Sequence, residues 1–365
     1  MIPLASPDIR EEDINKVVEV LRSGMLVQGA QVAAFEQSIA SYLEVSHVLA
    51  ASNGTATLHL ALSASGIGPG DEVIVPSLSY IATANVVELV GAHSVFVDVD
   101  IETFCIDTER IEAAITPATK AIMPVHEFGL MADMAPILEL AEKHGLIVVE
   151  DAACALGATD SGKKAGSLGD FGSFSLHPRK NITSGEGGLL VCKDEARAAK
   201  VSLLRNHGLS IENGKMTFPE AGFNYRLTDI QASLAHSQFG RFEEILSKKQ
   251  KLAEVYFAEL NHAAVTLPVC PDGKTHTWQS FHVLLDDSVN RDELIQKLRA
   301  QGVGTNLGAQ CMPEQEFFAR KYGLDVPQLF PNGLRAYRQG LVLPLYEKLT
   351  EHDILKVVRT LEQEI

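Results

Sequence analysis

Apolar residues over the first half of the chain fall into short runs of two alternating kinds. Ile14, Val17, Val18 and Leu21 recur at helical spacing with Gly24 as a stop, and Phe35, Ile39, Tyr42 and Leu43 repeat the pattern over 32–43. From there strand-like runs, HVLAA (47–51), EVIVPS (72–77), SVFVDV (94–99), KAIMPV (120–125) and LIVVED (146–151), alternate with helical segments at 55–65, 80–91, 107–116 and 133–144. Short apolar strands separated by helices predict parallel β-α-β units, with helices on both faces of the sheet. Ligands of such sheets bind beyond the carboxyl ends of the strands. The polar residues that follow the runs therefore matter most: Asn53, Gly54, Thr55, Ser77, Tyr80, His126 and Asp151.

After about residue 168 the pattern changes. GSFSL and GGLLVCK read as short strands around a loop that holds Lys180, and 193–206 reads as a helix. Residues 228–262 predict one long helix or two abutting ones, a bridge to a second unit. QSFHVLLDD (279–287), a helix from about Arg291 and a last helix from about 350 make a small α+β unit. A chain of 365 residues is too long for one small core. The expected division is a large domain over 1–245 and a small C-terminal domain over 246–365.

Composition narrows the class. With 46% apolar and 21% charged residues the chain is globular, and its net charge of −16 argues against nucleic acid or an anionic membrane as partner. No apolar stretch reaches bilayer length, and the N-terminus turns acidic at once. Cys105, Cys154, Cys192, Cys270 and Cys311 are scattered without a C-x-x-C pair, which predicts free thiols, no metal site and a cytoplasmic protein.

Several segments carry candidate chemistry. SNGTATLHL (52–60) places Gly54, Thr55 and backbone amides at a strand-to-helix junction, where partial positive charge and unpaired N–H groups can hold a phosphate; an ordinary capped helix reads the same way. Tyr80, just past the next strand, is a ring that stacks on a flat ligand or simply packs at a boundary. In LIVVEDAACALGA (146–158) Glu150 and Asp151 face opposite sides of the sheet if the strand continues, and chemistry alone leaves open which is the working acid. GDFGSFSLHPRKNITSGEGG (169–188) holds Ser175 and Lys180. A lysine in such an apolar, Gly- and Ser-rich run can lose its proton and act as an amine nucleophile, although a solvated loop lysine is the commoner fate. A nucleophilic lysine and a strand-end acid are the two protein partners of pyridoxal phosphate: one bonds the aldehyde, the other pairs with the ring nitrogen. His126 is either an acid–base group or a hydrogen-bonded structural residue. Asn224 and Arg226 in FNYRLTDIQA (223–232) are ligands or turn residues. No G-x-G-x-x-G follows the first strand, which argues against a nicotinamide enzyme.

Taken in order, SNGTATLHLAL, GPGDEVIVPSLSYIATAN, FVDVD, TKAIMPVH, VVEDAA, GDFGSFSLHPRKNITSGEGG and NYRLTDIQA resemble the DegT/DnrJ/EryC1/StrS sugar aminotransferases, from about Pro3 to the C-terminus. The resemblance implies a fold-type I pyridoxal phosphate α/β fold, with a mostly parallel sheet and a smaller C-terminal α+β domain. It implies that Lys180 bonds the cofactor and later moves protons, that Asp151 keeps the pyridinium nitrogen protonated, and that Tyr80 stacks on the ring. Gly54, Thr55 and Ser175 would bind the phosphate. Asn224 would reach the phosphate of the neighbouring subunit's cofactor, in a homodimer with its active sites at the interface. The implied reaction moves an amino group from L-glutamate to a keto sugar through pyridoxamine phosphate, in amino sugar biosynthesis for lipopolysaccharide, O-antigen or natural-product glycans. A nucleotide-linked 4-keto-6-deoxyhexose is the modal substrate; a 3-keto sugar, an inosose or an acidic keto sugar are alternatives, and a non-catalytic sensor on the same fold is the reading from another class. Arg179, Arg205, Arg226 and Arg335 are candidates for a diphosphate by charge type alone. The chain departs from the family at Cys154, where relatives carry Gln near the cofactor's ring hydroxyl; a thiol is a weaker hydrogen-bond partner. Relatives with histidine in place of the lysine are dehydratases; Lys180 argues against that branch, and His177 is not at the matching position.

Overall fold

In the computed structural model, which describes residues 1–365, the predicted runs become a seven-stranded sheet. Its strands are β1 (His47–Ala51), β2 (Glu72–Pro76), β3 (His93–Val97), β4 (Thr119–Ile122), β5 (Ile147–Asp151), β6 (Phe171–Ser175) and β7 (Gly188–Cys192). They lie in the order β1-β7-β6-β5-β4-β2-β3. All neighbours are parallel except at β7, which runs antiparallel to both β1 and β6. The two short strands flanking the Lys180 loop thus belong to the main sheet.

Side chains alternate between two cores, as the two-residue period of a strand requires. Val148, Phe174, Leu189 and Val191 enter one, with Phe35 and Ile39 of helix Ala30–Leu43 and Ile137 of helix Met134–His144. Val149, Phe171, Leu190 and Cys192 enter the other, with Leu60 of helix Gly54–Ala64 and Val86 of helix Ala82–Leu89. The helix expected over 107–116 is shorter, a 3-10 turn Thr108–Arg110 and one turn Ile111–Ala114. Pro117 disfavours helical geometry at the residue before it and ends the run. The expected helical bridge is two helices, Asp229–Phe239 and Phe242–Glu259, parted at Gly240; Thr228 and Gln231 form a capping box at the start of the first.

Beyond the bridge, β8 (Val265–Thr266), β9 (Phe281–Leu285) and β10 (Gly340–Leu343) form an antiparallel sheet with β9 in the middle. Leu252 and Tyr256 of helix Phe242–Glu259, Leu298 of helix Arg291–Ala300 and Val357 of helix Glu351–Glu364 fill its core, and Ile2 joins them. Past helix Arg291–Ala300 the chain leaves this unit before it returns as β10. Met312, Phe318, Phe330 and Leu334 pack with the large sheet, and Gln310–Cys311 pairs with Leu78–Ser79 just past β2. This returning segment walls the carboxyl end of the sheet and so shapes a cleft there. No helix is long and apolar enough to cross a membrane.

Candidate active site

At the end of β5 two acids stand side by side in the chain. Glu150 and Asp151 are both buried, at 0% and 4% exposure, on opposite faces. Glu150 Oε2 accepts from His126 Nε2 and the Gly166 N–H, each at 2.8 Å; Oε1 accepts from the N–H groups of Leu168 at 2.7 Å and Gly169 at 2.6 Å. His126 Nδ1 accepts from the Ala132 N–H at 3.1 Å, so both ring nitrogens are used and the histidine is structural. Asp151 accepts only Thr83 Oγ1, at 2.8 Å, and the Ala153 N–H, at 3.2 Å. Burial pushes its carboxyl up, against Thr83, the Ala153 N–H, Lys180 and His126. A cation on its open side would hold it ionised.

Lys180 lies in the loop after β6, and its Nζ donates to Cys154 Sγ at 3.0 Å. Burial opposes its charge, but the Cys154 sulfur and then the Asp151 carboxylate outweigh burial and hold the amine above the ordinary lysine value. Burial likewise pushes the Cys154 thiol up.

Helix Gly54–Ala64 opens at the end of β1. Asn53 caps it by accepting the Ala56 N–H at 2.8 Å, which leaves the N–H groups of Gly54 and Thr55 without carbonyls behind them. Gly54 sits so close to β6 that a Cβ there would lie 3.0 Å from Ser175 Cβ. A Cβ on Gly188 would lie 2.6 Å from the Asn53 backbone, so glycine lets β7 approach this turn. The Ser175 hydroxyl accepts the His177 N–H at 3.4 Å and keeps its proton to give. Two free amides, two hydroxyls and a helix N-terminus make a cradle for a phosphate dianion.

These groups line one cleft of about 790 Å³. Gly54, Thr55, Ser175, Lys180, Cys154, Asp151 and Tyr80 all face it, and the Tyr80 ring is 68% exposed above it. Asn224 does not: it is exposed, bridged to Asn206, outside its own chain's cleft. Arg205, one of the diphosphate candidates, is buried and donates to Glu36 Oε1 at 2.7 Å and the Ala50 carbonyl at 2.6 Å, so the fold uses it up. Arg226 donates to Asn206 Oδ1 at 2.5 Å; of the four arginines, only Arg179 lines the cleft.

Three residues of the cleft wall carry no signal in the sequence. Thr83, on the helix after Tyr80, holds Asp151. Glu127 is buried, and its Oε2 has no hydrogen-bond partner. Lys249, on helix Phe242–Glu259, is buried, donates to Asn181 Oδ1 at 2.6 Å and makes no ion pair; burial lowers it to about 8. No three His, Cys, Asp or Glu side chains converge in a way that could hold a metal.

The donor set fits pyridoxal phosphate. An anion cradle at one end, a carboxylate with open valences at the other and an amine between them match the cofactor's phosphate, ring nitrogen and aldehyde.

The sequence matches the model of the DegT/DnrJ/EryC1/StrS aminotransferase family over residues 7–362. It is 42% identical to GDP-perosamine synthase of Caulobacter vibrioides, over 99% of this chain and 98% of that protein. It is 35% identical to the spore coat polysaccharide biosynthesis protein SpsC of Bacillus subtilis, over 98% of this chain and 95% of that one. Spr1654 of Streptococcus pneumoniae, described as a sugar aminotransferase, superposes in its PLP form with a TM-score of 0.94 at 28% identity, over 100% of this chain and 98% of that one. It has also been solved in its PMP form. This chain belongs to the DegT/DnrJ/EryC1/StrS aminotransferase family and is a pyridoxal phosphate-dependent sugar aminotransferase.

Proposed function

We propose that this enzyme transfers the amino group of L-glutamate to C4 of a nucleotide-linked 4-keto-6-deoxyhexose, with Lys180 and Asp151 as its catalytic pair. The observation that carries the pair is that one cleft holds the Lys180 amine, the open side of Asp151 and the Gly54–Ser175 cradle. The substrate class is supported by the Caulobacter relative, named for a GDP-linked amino sugar. Arg179, exposed on the cleft rim, is a donor for its diphosphate.

Gly54, Thr55 and Ser175 hold the phosphate, Tyr80 covers the ring, and Cys154 lies beside the lysine. Bound there, pyridoxal phosphate supplies an electron sink for carbanion charge. Asp151 keeps a proton on the ring nitrogen. Its negative charge is then shared with that cation, so it pulls less on Lys180, and the amine is freer to act as a base. Lys180 takes the α-proton of the amino donor in the first half-reaction. In the second it returns a proton to the sugar carbon that bears the new amine. Both transfers need a neutral amine within reach of the reacting carbon.

A homodimer completes the proposal. Ile211, Met216 and Phe218 on and beside the hairpin Ser210–Thr217 are 72%, 66% and 61% exposed, and Met25 and Val27 are 69% and 66% exposed. Apolar side chains this bare call for cover, and a second copy that covers them would bring Asn224 toward its partner's cleft. Five unpaired thiols fit a cytoplasmic enzyme.

The test is a half-reaction screen. Enzyme charged with an amino group by L-glutamate is mixed with nucleotide-linked keto sugars, and return of the visible absorbance of the lysine-bound cofactor is followed. A 4-keto-6-deoxyhexose should restore it fastest; faster return with a 3-keto sugar would move the aminated carbon.

A further inference from the structure

The mechanism leaves one buried acid unused. Glu127 is 5% exposed and lines the cleft, and one of its oxygens, Oε2, is buried without a hydrogen-bond partner. An ionised carboxylate with a bare buried oxygen is costly, and a protonated carboxyl facing the cleft through its other oxygen avoids that cost.

The turn that carries it is held rigidly. The preceding residue, His126, donates its N–H to the Asp151 carbonyl at 3.0 Å. On the far side, Thr277 donates its N–H to the Gly129 carbonyl at 3.0 Å and its hydroxyl to the Cys154 carbonyl at 3.0 Å. Phe128 takes a left-handed φ of 55° and stacks on His282 with ring centroids 4.1 Å apart. Gly129, at φ 109°, admits no Cβ, which would fall 2.2 Å from Thr277 Oγ1. The turn is therefore stapled at one end to Asp151 and at the other to Cys154, the two residues that flank the catalytic amine. The strain at Phe128 is of a kind that persists only where the surroundings enforce it.

We propose that Glu127 is a positioning residue of the cofactor site: carrying a proton, it donates a hydrogen bond to the bound pyridoxal phosphate on the side of Cys154, whose thiol is only a weak donor. The inference rests on Lys180 being the lysine that bears the cofactor. The charged groups around Glu127 agree with a protonated carboxyl. Burial and then the Asp151 charge push it up to about 7, against Lys180, the Phe128 N–H and Ser79. Cys154 stays a thiol because burial raises it, and His126 is turned away to Glu150, so neither competes for the proton.

The experiment uses holoenzyme and visible absorbance. Wild type, Glu127→Gln, Glu127→Leu and Lys180→Ala are loaded with pyridoxal phosphate and titrated with base, and cofactor affinity is measured by quenching of intrinsic fluorescence. Glutamine keeps an N–H donor, and leucine does not. Glu127→Leu should shift the midpoint of the absorbance titration and weaken cofactor binding about tenfold, the scale of a lost hydrogen bond to a charged acceptor. Glu127→Gln should restore both readings toward wild type. Leucine indistinguishable from wild type overturns the assignment, and so does glutamine as impaired as leucine. Lys180→Ala separates this from the site itself: a retained lysine-type absorbance band there overturns the whole site. A band lost there, with Glu127→Leu unchanged, overturns only the role of Glu127.

Discussion

Glu150 and Asp151 are adjacent on β5, both buried, and they look into opposite faces of the same sheet. Below the sheet, Glu150 receives four hydrogen bonds, three from backbone N–H groups and one from His126. On the cleft side, Asp151 receives two and leaves the rest of its lone pairs open. The same contrast holds one residue along the neighbouring turn, where His126 has both ring nitrogens engaged and Glu127 has an oxygen with no partner. Burial does not tell these two carboxylates apart. Hydrogen-bond satisfaction does: the fold fills the valences of Glu150 and leaves valences of Asp151 open on the side of the cleft.

That contrast can be broken at either face. Asp151→Ala should lower transamination about 1,000-fold, because the ring nitrogen loses its anchor, while the apoprotein's melting temperature stays near wild type. A loss under tenfold in steady-state kinetics would contradict its role. Glu150→Ala should do the reverse. Removing it strands buried donors and costs about 4 kcal/mol in denaturant unfolding, while protein that remains folded binds pyridoxal phosphate with ordinary affinity. Unchanged stability would place the two acids in the wrong order.

The smaller effect is a pH dependence at Glu127. Its folded value is raised to about 7, well above the unfolded carboxyl. A raised acid contributes its stability below the unfolded value of about 4.3 and loses it as pH climbs through the folded value, because the folded chain then holds a charge it disfavours. Apo Glu127→Gln carries no such charge. Its stability advantage over wild type should grow by up to about 3 kcal/mol between pH 4.5 and pH 8, measured by urea unfolding. A difference that is flat with pH would mean that Glu127 is solvated.

Much of this was legible in the sequence because it is local. Alternating β and α periodicity marks the parallel strands, and their polar carboxyl ends point to Gly54, Tyr80 and Asp151. Ser175 and Lys180 share one run of twenty residues, 169–188. The remainder depends on contacts between distant segments. Glu150 and Asp151 are chemically alike in a string of letters, and only the register of β5 against β6 assigns their faces. Thr83 reaches Asp151 across 68 positions, and Lys249 comes to Asn181 across 68 more. Glu127 looks like an ordinary surface acid until the turn that buries it is seen. The segment 310–339 carries helical periodicity at Phe330, Leu334 and Tyr337, but nothing in that pattern says that it returns to the large sheet, because its partner is built by other parts of the chain.

The cleft holds two lysines, half-buried Lys180 and buried Lys249, and by lowered basicity alone Lys249, at about 8, is the better nucleophile. Position favours Lys180, on the loop between the phosphate cradle and Asp151. Borohydride reduction of the holoenzyme, followed by proteolysis and mass spectrometry, fixes the cofactor to whichever amine bears it. The pyridoxyl mass should fall on the peptide that contains Lys180; that mass on the Lys249 peptide, or on neither, would rule out Lys180 as the amine that bears the cofactor.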